Sequence, residues 1–215
     1  MGIQKWGAFG GFQKKTGALV GKWVNGQNVI SAVPHASENP PTEGQLLSRQ
    51  RFRLLIKWQA LISPILRVGF QNAHDERQSA FNAAFMYNYR NALAMSMDVP
   101  TLDFAKIMLG SGRLSNGYMM ALATTEDAQL DFSWGAGIAN GIGAATDKLT
   151  IVVYNPAKQE FASMVGAVAR SVLSYDMELP ANWSGDTVHP YVFFVSLNGK
   201  VNSNSLYLGS TVVQG

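Results

Sequence analysis

The chain has 215 residues, of which 47% are apolar, 14% are charged and none is cysteine. This composition excludes a disordered chain, since disorder requires low hydrophobicity and high charge, and it excludes disulfides, thiolate catalysis and zinc–thiolate sites. The net charge of +3 is divided unevenly, because residues 1–97 carry 11 Lys+Arg and 4 Asp+Glu whereas residues 98–215 carry 6 and 10. We expect either two surfaces of opposite sign that attract head to tail in a polymer, or two solvated surfaces without a role.

Residues 1–35 are rich in glycine and contain an Asn-Gly pair between two extended apolar runs. Asn-Gly favours a type I′ turn, so the segment predicts a β-hairpin arm. Both faces of the hairpin carry large apolar side chains, and a two-stranded ribbon is marginal alone. We therefore expect the arm to pack against a neighbour. The predicted assembly residues of the arm are Phe9, Phe12, Trp23, Val24, Asn25, Gly26, Val29 and Ile30.

Residues 36–97 are predicted to be a helical region that follows a proline-rich linker. The linker ends in Thr42-Glu43-Gly44-Gln45, a capping-box pattern that predicts a helix from about residue 43 to 62. Ser63-Pro64 predicts a short second helix that ends near Gly69, and apolar spacing predicts a third over residues 79–94.

A basic stripe is predicted on the first helix. Arg49, Arg53 and Lys57 recur every four residues and therefore lie on one face. Such a stripe would neutralise phosphates or contact an acidic surface of a second copy. The alternative is a solvated face whose long side chains cover apolar neighbours, and this interpretation agrees better with the shortness of the stripe.

In residues 98–215 apolar and polar residues alternate with a period of two, which predicts a domain of six or seven short strands. Residues 149–154 form a continuous apolar run typical of a buried strand, and residues 173–179 alternate strictly. The sequence thus predicts an α+β chain with three parts: an arm (1–35), a helical region (36–97) and an antiparallel, immunoglobulin-like β-sandwich (98–215).

No motif predicts catalysis. Gly135-Ala136-Gly137 almost begins a dinucleotide-binding pattern, but a strand follows it where that site needs a helix, so we expect a flexible loop. His74 with Asp75 and Glu76 is a weak metal site, and no nucleophile elbow is present. We expect no enzyme activity and no cofactor. No apolar stretch is long enough to span a membrane, and no signal peptide is visible, so cytoplasmic synthesis is expected.

Two segments carry a resemblance to a known family. Gly10-Gly11-Phe12-Gln13-Lys14-Lys15-Thr16-Gly17 leads into the hairpin, and Asn39-Pro40-Pro41-Thr42 precedes the first helix. With Val201–Gly209 as a closing segment, this pattern resembles an uncharacterised bacterial family of similar length with an arm, a helical middle and a β-rich end. No activity comes with that resemblance. Residues 10–55 are also similar, more weakly, to phage structural proteins.

These observations lead to a functional hypothesis. We expect a structural, self-assembling subunit of a filament or phage-like particle, with copies of the chain, or another structural protein, as partners and nucleic acid not among them. In the alternative, the sandwich is a binding module for a glycan or protein, which requires Tyr118, Trp134 and Trp183 to be exposed together. In a structural subunit, the chain would reside in a particle or an extracellular filament.

Overall fold

The computed structural model describes residues 2–3, 13–24, 26–35, 39–73, 78–97, 99–138 and 141–215. The chain is divided into two compact units, residues 1–43 and 44–215. Strands come first, helices follow, and antiparallel sheets end the chain. The predicted α+β fold class is therefore confirmed. The helical region and the sandwich belong to one compact unit.

The first unit contains an antiparallel sheet, here called the arm sheet. Its strands are β1 (Gly2–Ile3), β2 (Lys14–Thr16), β3 (Leu19–Val24) and β4 (Gln27–Ala32), in the order β1-β4-β3-β2. Val24 pairs with Gln27, so a two-residue turn joins β3 to β4, and Gly26 adopts the positive φ of 75° that such a turn requires. The hairpin prediction is confirmed, but the two-stranded ribbon was wrong, because β1 and β2 flank it.

The second unit begins with helices. They are α1 (Glu43–Ala60), α2 (Ser63–Gly69) and α3 (Ala80–Asn91). Pro64 stands in the first turn of α2, where its missing N–H costs nothing. The Ser79 hydroxyl accepts a hydrogen bond from the Asn82 N–H and so caps α3. The predicted helices are thus present, with α3 three residues shorter at its C-terminal end than its spacing indicated.

The strands of the second unit form three sheets. A small hairpin pairs β5 (Leu93–Ser96) with β6 (Val99–Leu102). The three-stranded sheet has the order β11-β8-β7, and the five-stranded sheet has the order β10-β9-β12-β13 with β14 also paired to β12. These strands are β7 (Gly117–Ala123), β8 (Gln129–Ile138), β9 (Lys148–Asn155), β10 (Glu160–Met164), β11 (Ser174–Glu178), β12 (Thr187–Val195), β13 (Leu206–Tyr207) and β14 (Thr211–Val212).

The two larger sheets pack face to face as a sandwich. Alternate residues of β8, β9, β11 and β12 meet in one buried cluster that includes Phe132, Ile151, Met177 and Phe194. The residues between them point to the outer faces of the two sheets, because successive side chains of a strand alternate between its faces.

Helices form a third layer on the outer face of the five-stranded sheet. Val152, Tyr191 and Phe193 lie in a second cluster with Leu55 and Leu66 of the helices. Because helices cover one face of β9 and a sheet covers the other, both sets of alternate residues in β9 are buried. This explains the continuous apolar run at residues 149–154.

One local prediction was wrong. Gly135 and Gly137 lie within β8, not in a flexible loop. A Cβ on either glycine would lie 3.0–3.1 Å from the ring of Tyr118, so glycine lets that ring pack across the strand.

Candidate assembly surfaces

The arm sheet exposes apolar side chains on both faces. The register places Leu19, Trp23 and Ile30 on one face, which we call the apolar arm face. Lys22, Val24 and Val29 lie on the other face, which we call the lysine arm face. Lys15 of β2 lies on this face too, because it pairs with Val20. Trp23 is 51% exposed and Leu19 is 44% exposed. Such large exposed apolar groups are typical of surfaces that meet a partner.

The predicted assembly residues of the arm have different outcomes. Trp23, Val24 and Gly26 are exposed, Ile30 is half-buried and Val29 is buried. Because Val29 is buried in the chain itself, it is not available to a neighbour. Phe9, Phe12 and Asn25 lie outside the described residues.

The basic stripe lies on the exposed side of α1. Arg49, Arg53 and Lys57 are all exposed, whereas Leu55 and Trp58 of the same helix are buried against the five-stranded sheet. In the part of the chain that the structure describes, none of these cations forms an ion pair within 4.0 Å. The stripe is therefore a solvent-facing cationic surface on the helical layer of the second unit.

An acidic surface lies on the outer face of the three-stranded sheet. Asp131 of β8 pairs directly with Asp176 of β11, and Glu178 follows on the same face of β11. We call these three residues the acidic face. Glu126 and Asp127 add exposed carboxylates in the turn before β8. Since the inner face of this sheet is buried in the sandwich, the acidic face is turned to solvent.

Hydrogen bonds hold Asp131 in its charged form. The carboxylate accepts bonds from the Thr125 hydroxyl and from the Gln129 amide, at 2.7 Å for the latter. These bonds, that of Thr125 first, lower the pKa of Asp131 below its ordinary value. Like charges directly opposite each other across two strands are destabilising. The Asp131–Asp176 pair thus carries an electrostatic cost that a cation beside it would offset.

The basic stripe and the acidic face belong to opposite outer layers of the second unit. The helices lie on one side of the five-stranded sheet, and the three-stranded sheet lies on the other. The predicted division of charge therefore corresponds to two separate surfaces.

An apolar groove of about 400 Å³ lies beside α1. The aromatic rings of Trp58, Phe104 and Tyr154 line it. The ring centroid of Tyr154 lies 5.6 Å from that of Trp58 and 5.3 Å from that of Phe104. Lys57 lies at the groove and is its one cationic lining residue among the described side chains. Burial raises the pKa of Tyr154. The groove fits an apolar group and has few polar side chains with which to act on it chemically.

The histidines do not build a catalytic site in the described residues. His189 Nδ1 lies 2.8 Å from the Tyr207 hydroxyl, and its ring centroid lies 4.3 Å from that of Phe104. Burial lowers the pKa of His189, which favours the neutral ring. His35 is exposed, and His74 lies outside the described residues. Within the described ranges no group of three or more His, Asp or Glu residues is placed to hold a metal ion.

The aromatic platform required by the binding-module alternative is not formed. Trp134 is buried and donates to the Arg170 carbonyl at 2.7 Å, and Trp183 is buried in the same cluster. Tyr118 alone of the three is exposed. A flat glycan-binding surface built from these three rings is therefore excluded.

Sequence reasoning missed the acidic face. Asp131 and Asp176 both alternate with core residues in the sequence, but their direct pairing depends on the register of β8 against β11. The available signal was the shared alternation, which puts acids of both strands on one face. No helix among the described residues is long and apolar enough to cross a membrane.

Comparisons with known proteins give a family and a distant structural likeness. The sequence model of a family of unknown function (DUF6266) matches residues 11–209. No curated protein sequence matches the chain. Among solved structures, the fn3 domain of the human collagen alpha-1(XX) chain is similar with a TM-score of 0.32 and 16% identity, covering 49% of this chain and 90% of that domain. That likeness is too distant to carry an argument about function.

Proposed function

The chain belongs to the family of unknown function DUF6266, and we propose that it is a structural subunit that assembles with further copies of itself through the arm. The family match agrees with the resemblance found in the sequence. The similarity to phage structural proteins stays a prediction, as does the choice between a filament and a particle.

One observation carries this proposal. The arm sheet is a compact unit of its own and exposes large apolar side chains, Leu19 and Trp23 on one face and Val24 on the other. Burying a side chain of this size stabilises an interface by about 1.5–3 kcal/mol. A neighbouring copy supplies a surface on which these groups leave water.

The charges of the second unit support head-to-tail association. The acidic face is a different patch from the basic stripe and from the lysines of the arm, so a contact between cations of one copy and the carboxylates of the next is heterologous. Heterologous contacts generate rings when the rotation closes and open filaments when it does not. In this arrangement the excess of basic residues in 1–97 and of acidic residues in 98–215 contributes to assembly.

The proposal is tested on the purified full chain by mass photometry and negative-stain electron microscopy over a concentration series. We expect species larger than one copy that grow with concentration. Trp23→Ser should weaken association, whereas Leu197→Ser, which removes an exposed apolar side chain from a turn of the second unit, should not. A chain that stays monomeric at the highest concentration would overturn the proposal.

A second candidate function is a binding module that uses the groove beside α1. The three aromatic rings and the single lysine favour an apolar side chain of a partner protein over a glycan. Leu61→Glu would place a carboxylate on the groove wall, and Leu61 is exposed, so the variant should fold normally. If self-association fails and a partner binds the natural chain but not this variant, the second candidate replaces the first.

A further inference from the structure

Two strand edges of opposite charge are unpaired in the described parts of the chain. β2 ends the arm sheet and carries Lys14 and Lys15, and β11 ends the three-stranded sheet and carries Asp176 and Glu178. An edge strand presents free backbone N–H and C=O groups and pairs readily with another strand unless something prevents it. These edges therefore offer backbone hydrogen bonding as well as charge.

The other edges of the second unit are less suited to a basic strand. β7, at the far side of the same sheet, has register shifts at Tyr118, and such irregularities interrupt regular pairing. β10 ends the five-stranded sheet and carries only one charged residue, Glu160. By contrast, β11 pairs with β8 over five consecutive residues without a shift, so its pairing is regular.

The lysines of one face of the arm sheet match the carboxylates of one face of the sheet that contains β11. The lysine arm face has Lys15 and Lys22, and the outer face of the three-stranded sheet has Asp131, Asp176 and Glu178. Lys14 lies on the other face of β2, opposite Gly21. A single continuous sheet of both, with the lysine arm face on its outer side, therefore brings Lys15 and Lys22 beside the carboxylates.

Like-charge repulsion excludes the symmetric pairings. Two β2 edges would bring lysines together, and two β11 edges would bring carboxylates together, and opposed like charges disfavour association. The Asp131–Asp176 pair already carries such a cost within one chain, which a lysine from outside relieves. The charges thus select a contact between unlike edges.

We propose that β2 of one copy adds to β11 of the next copy, so that the arm sheet and the three-stranded sheet become one sheet across the contact. This inference rests on the proposed self-assembly and names the strands that make it. Strand addition uses main-chain hydrogen bonds for affinity and side chains for specificity. Because the two edges differ, each copy both donates an arm and accepts one.

Carbodiimide cross-linking tests the contact in the unmodified chain. The reagent joins a lysine amine to a carboxylate that touches it, and a mixture of ¹⁵N-labelled and unlabelled chains distinguishes links between copies from links within one. We expect Lys15 or Lys22 joined to Asp176 or Glu178 in mixed-isotope pairs. Links between copies that avoid both strands would overturn the inference.

Charge exchange within one chain gives an independent measurement. Lys15→Glu with Lys22→Glu should weaken association at least about tenfold, since like charges then oppose each other. Adding Asp176→Lys and Glu178→Lys to the same chain should restore it, while Arg113→Glu with Lys200→Glu, at two exposed positions, controls for the change in net charge. An unmodified chain that does not associate refutes the proposed function. Association that neither the reversal nor the exchange alters refutes only this strand pairing.

Discussion

The Arg170 guanidinium lies 3.4 Å from the Asp147 carboxylate, and both side chains are only 3% exposed. Arg170 also donates to the carbonyls of Ser115 and Asn116 and lies 3.9 Å above the ring centroid of Phe194. This buried cation thus connects the loop before β7, the turn before β9 and the core of the sandwich.

Removing the charge of Asp147 should destabilise the second unit strongly. Asp147→Asn keeps the shape of the side chain but leaves Arg170 buried beside a neutral group, which costs about 3–5 kcal/mol. Urea unfolding followed by circular dichroism measures the loss. Asp103→Asn is the matched control, because Asp103 forms an exposed ion pair with Lys106 and should cost less than about 1 kcal/mol. Equal losses in the two variants would refute the structural role assigned to Arg170.

Glycine at position 69 should be required by packing. A Cβ there would overlap the carbonyl oxygen of Leu109, and the Gly69 carbonyl itself accepts from Asn202 Nδ2 at 2.6 Å. Gly69→Ala should therefore cost about 1–3 kcal/mol, as overpacking does. Gly44 in α1 has open space around it, so Gly44→Ala should stabilise the chain by up to about 1 kcal/mol. Thermal unfolding of both variants should show a lower melting temperature for Gly69→Ala and a higher one for Gly44→Ala.

The half-buried ring of His189 should make stability depend on pH. Burial lowers the pKa of His189 in the folded chain below the ordinary 6.5, so the unfolded chain binds the proton more readily. The free energy of unfolding should consequently fall as the pH drops through 6.5 and level off below the folded pKa.

Unfolding in urea at about pH 7.5 and about pH 5.5 measures this dependence. His189→Asn retains an acceptor near the Tyr207 hydroxyl but does not titrate, so it should reduce the difference between the two pH values. His35→Asn, at an exposed position, should leave the difference unchanged. The same pH dependence in His189→Asn as in the natural chain would show that another group is responsible.

Local patterns predicted the elements well, because each depends on neighbours in sequence. The hairpin turn at Gly26, the start of α2 at Ser63-Pro64 and the buried strand β9 all follow from turn chemistry, capping and hydrophobic period. The arm sheet has four strands, whereas the sequence indicated two. The other two, β1 and β2, are only two and three residues long, and strands this short have a weak sequence pattern.

Features that depend on distant residues could not be read from the sequence. Gly135 and Gly137 are required by the ring of Tyr118 on the neighbouring strand, so in isolation they predicted a loop. The opposition of Asp131 and Asp176 depends on strand register, and the burial of Trp134 depends on the Arg170 carbonyl. The acidic face, and with it the candidate contact, therefore became visible only in three dimensions.

Mixing two variants gives the sharpest test of the contact between the arm edge of one copy and the acidic edge of the next. One carries Lys15→Glu and Lys22→Glu, and the other carries Asp176→Lys and Glu178→Lys. In each variant alone the two edges have the same sign, whereas in the mixture each edge of one variant meets an opposite charge on the other. Sedimentation velocity should find each variant dispersed and the equimolar mixture assembled. If either variant assembles alone like the natural chain, or if the mixture stays dispersed, β2 of one copy does not pair with β11 of the next.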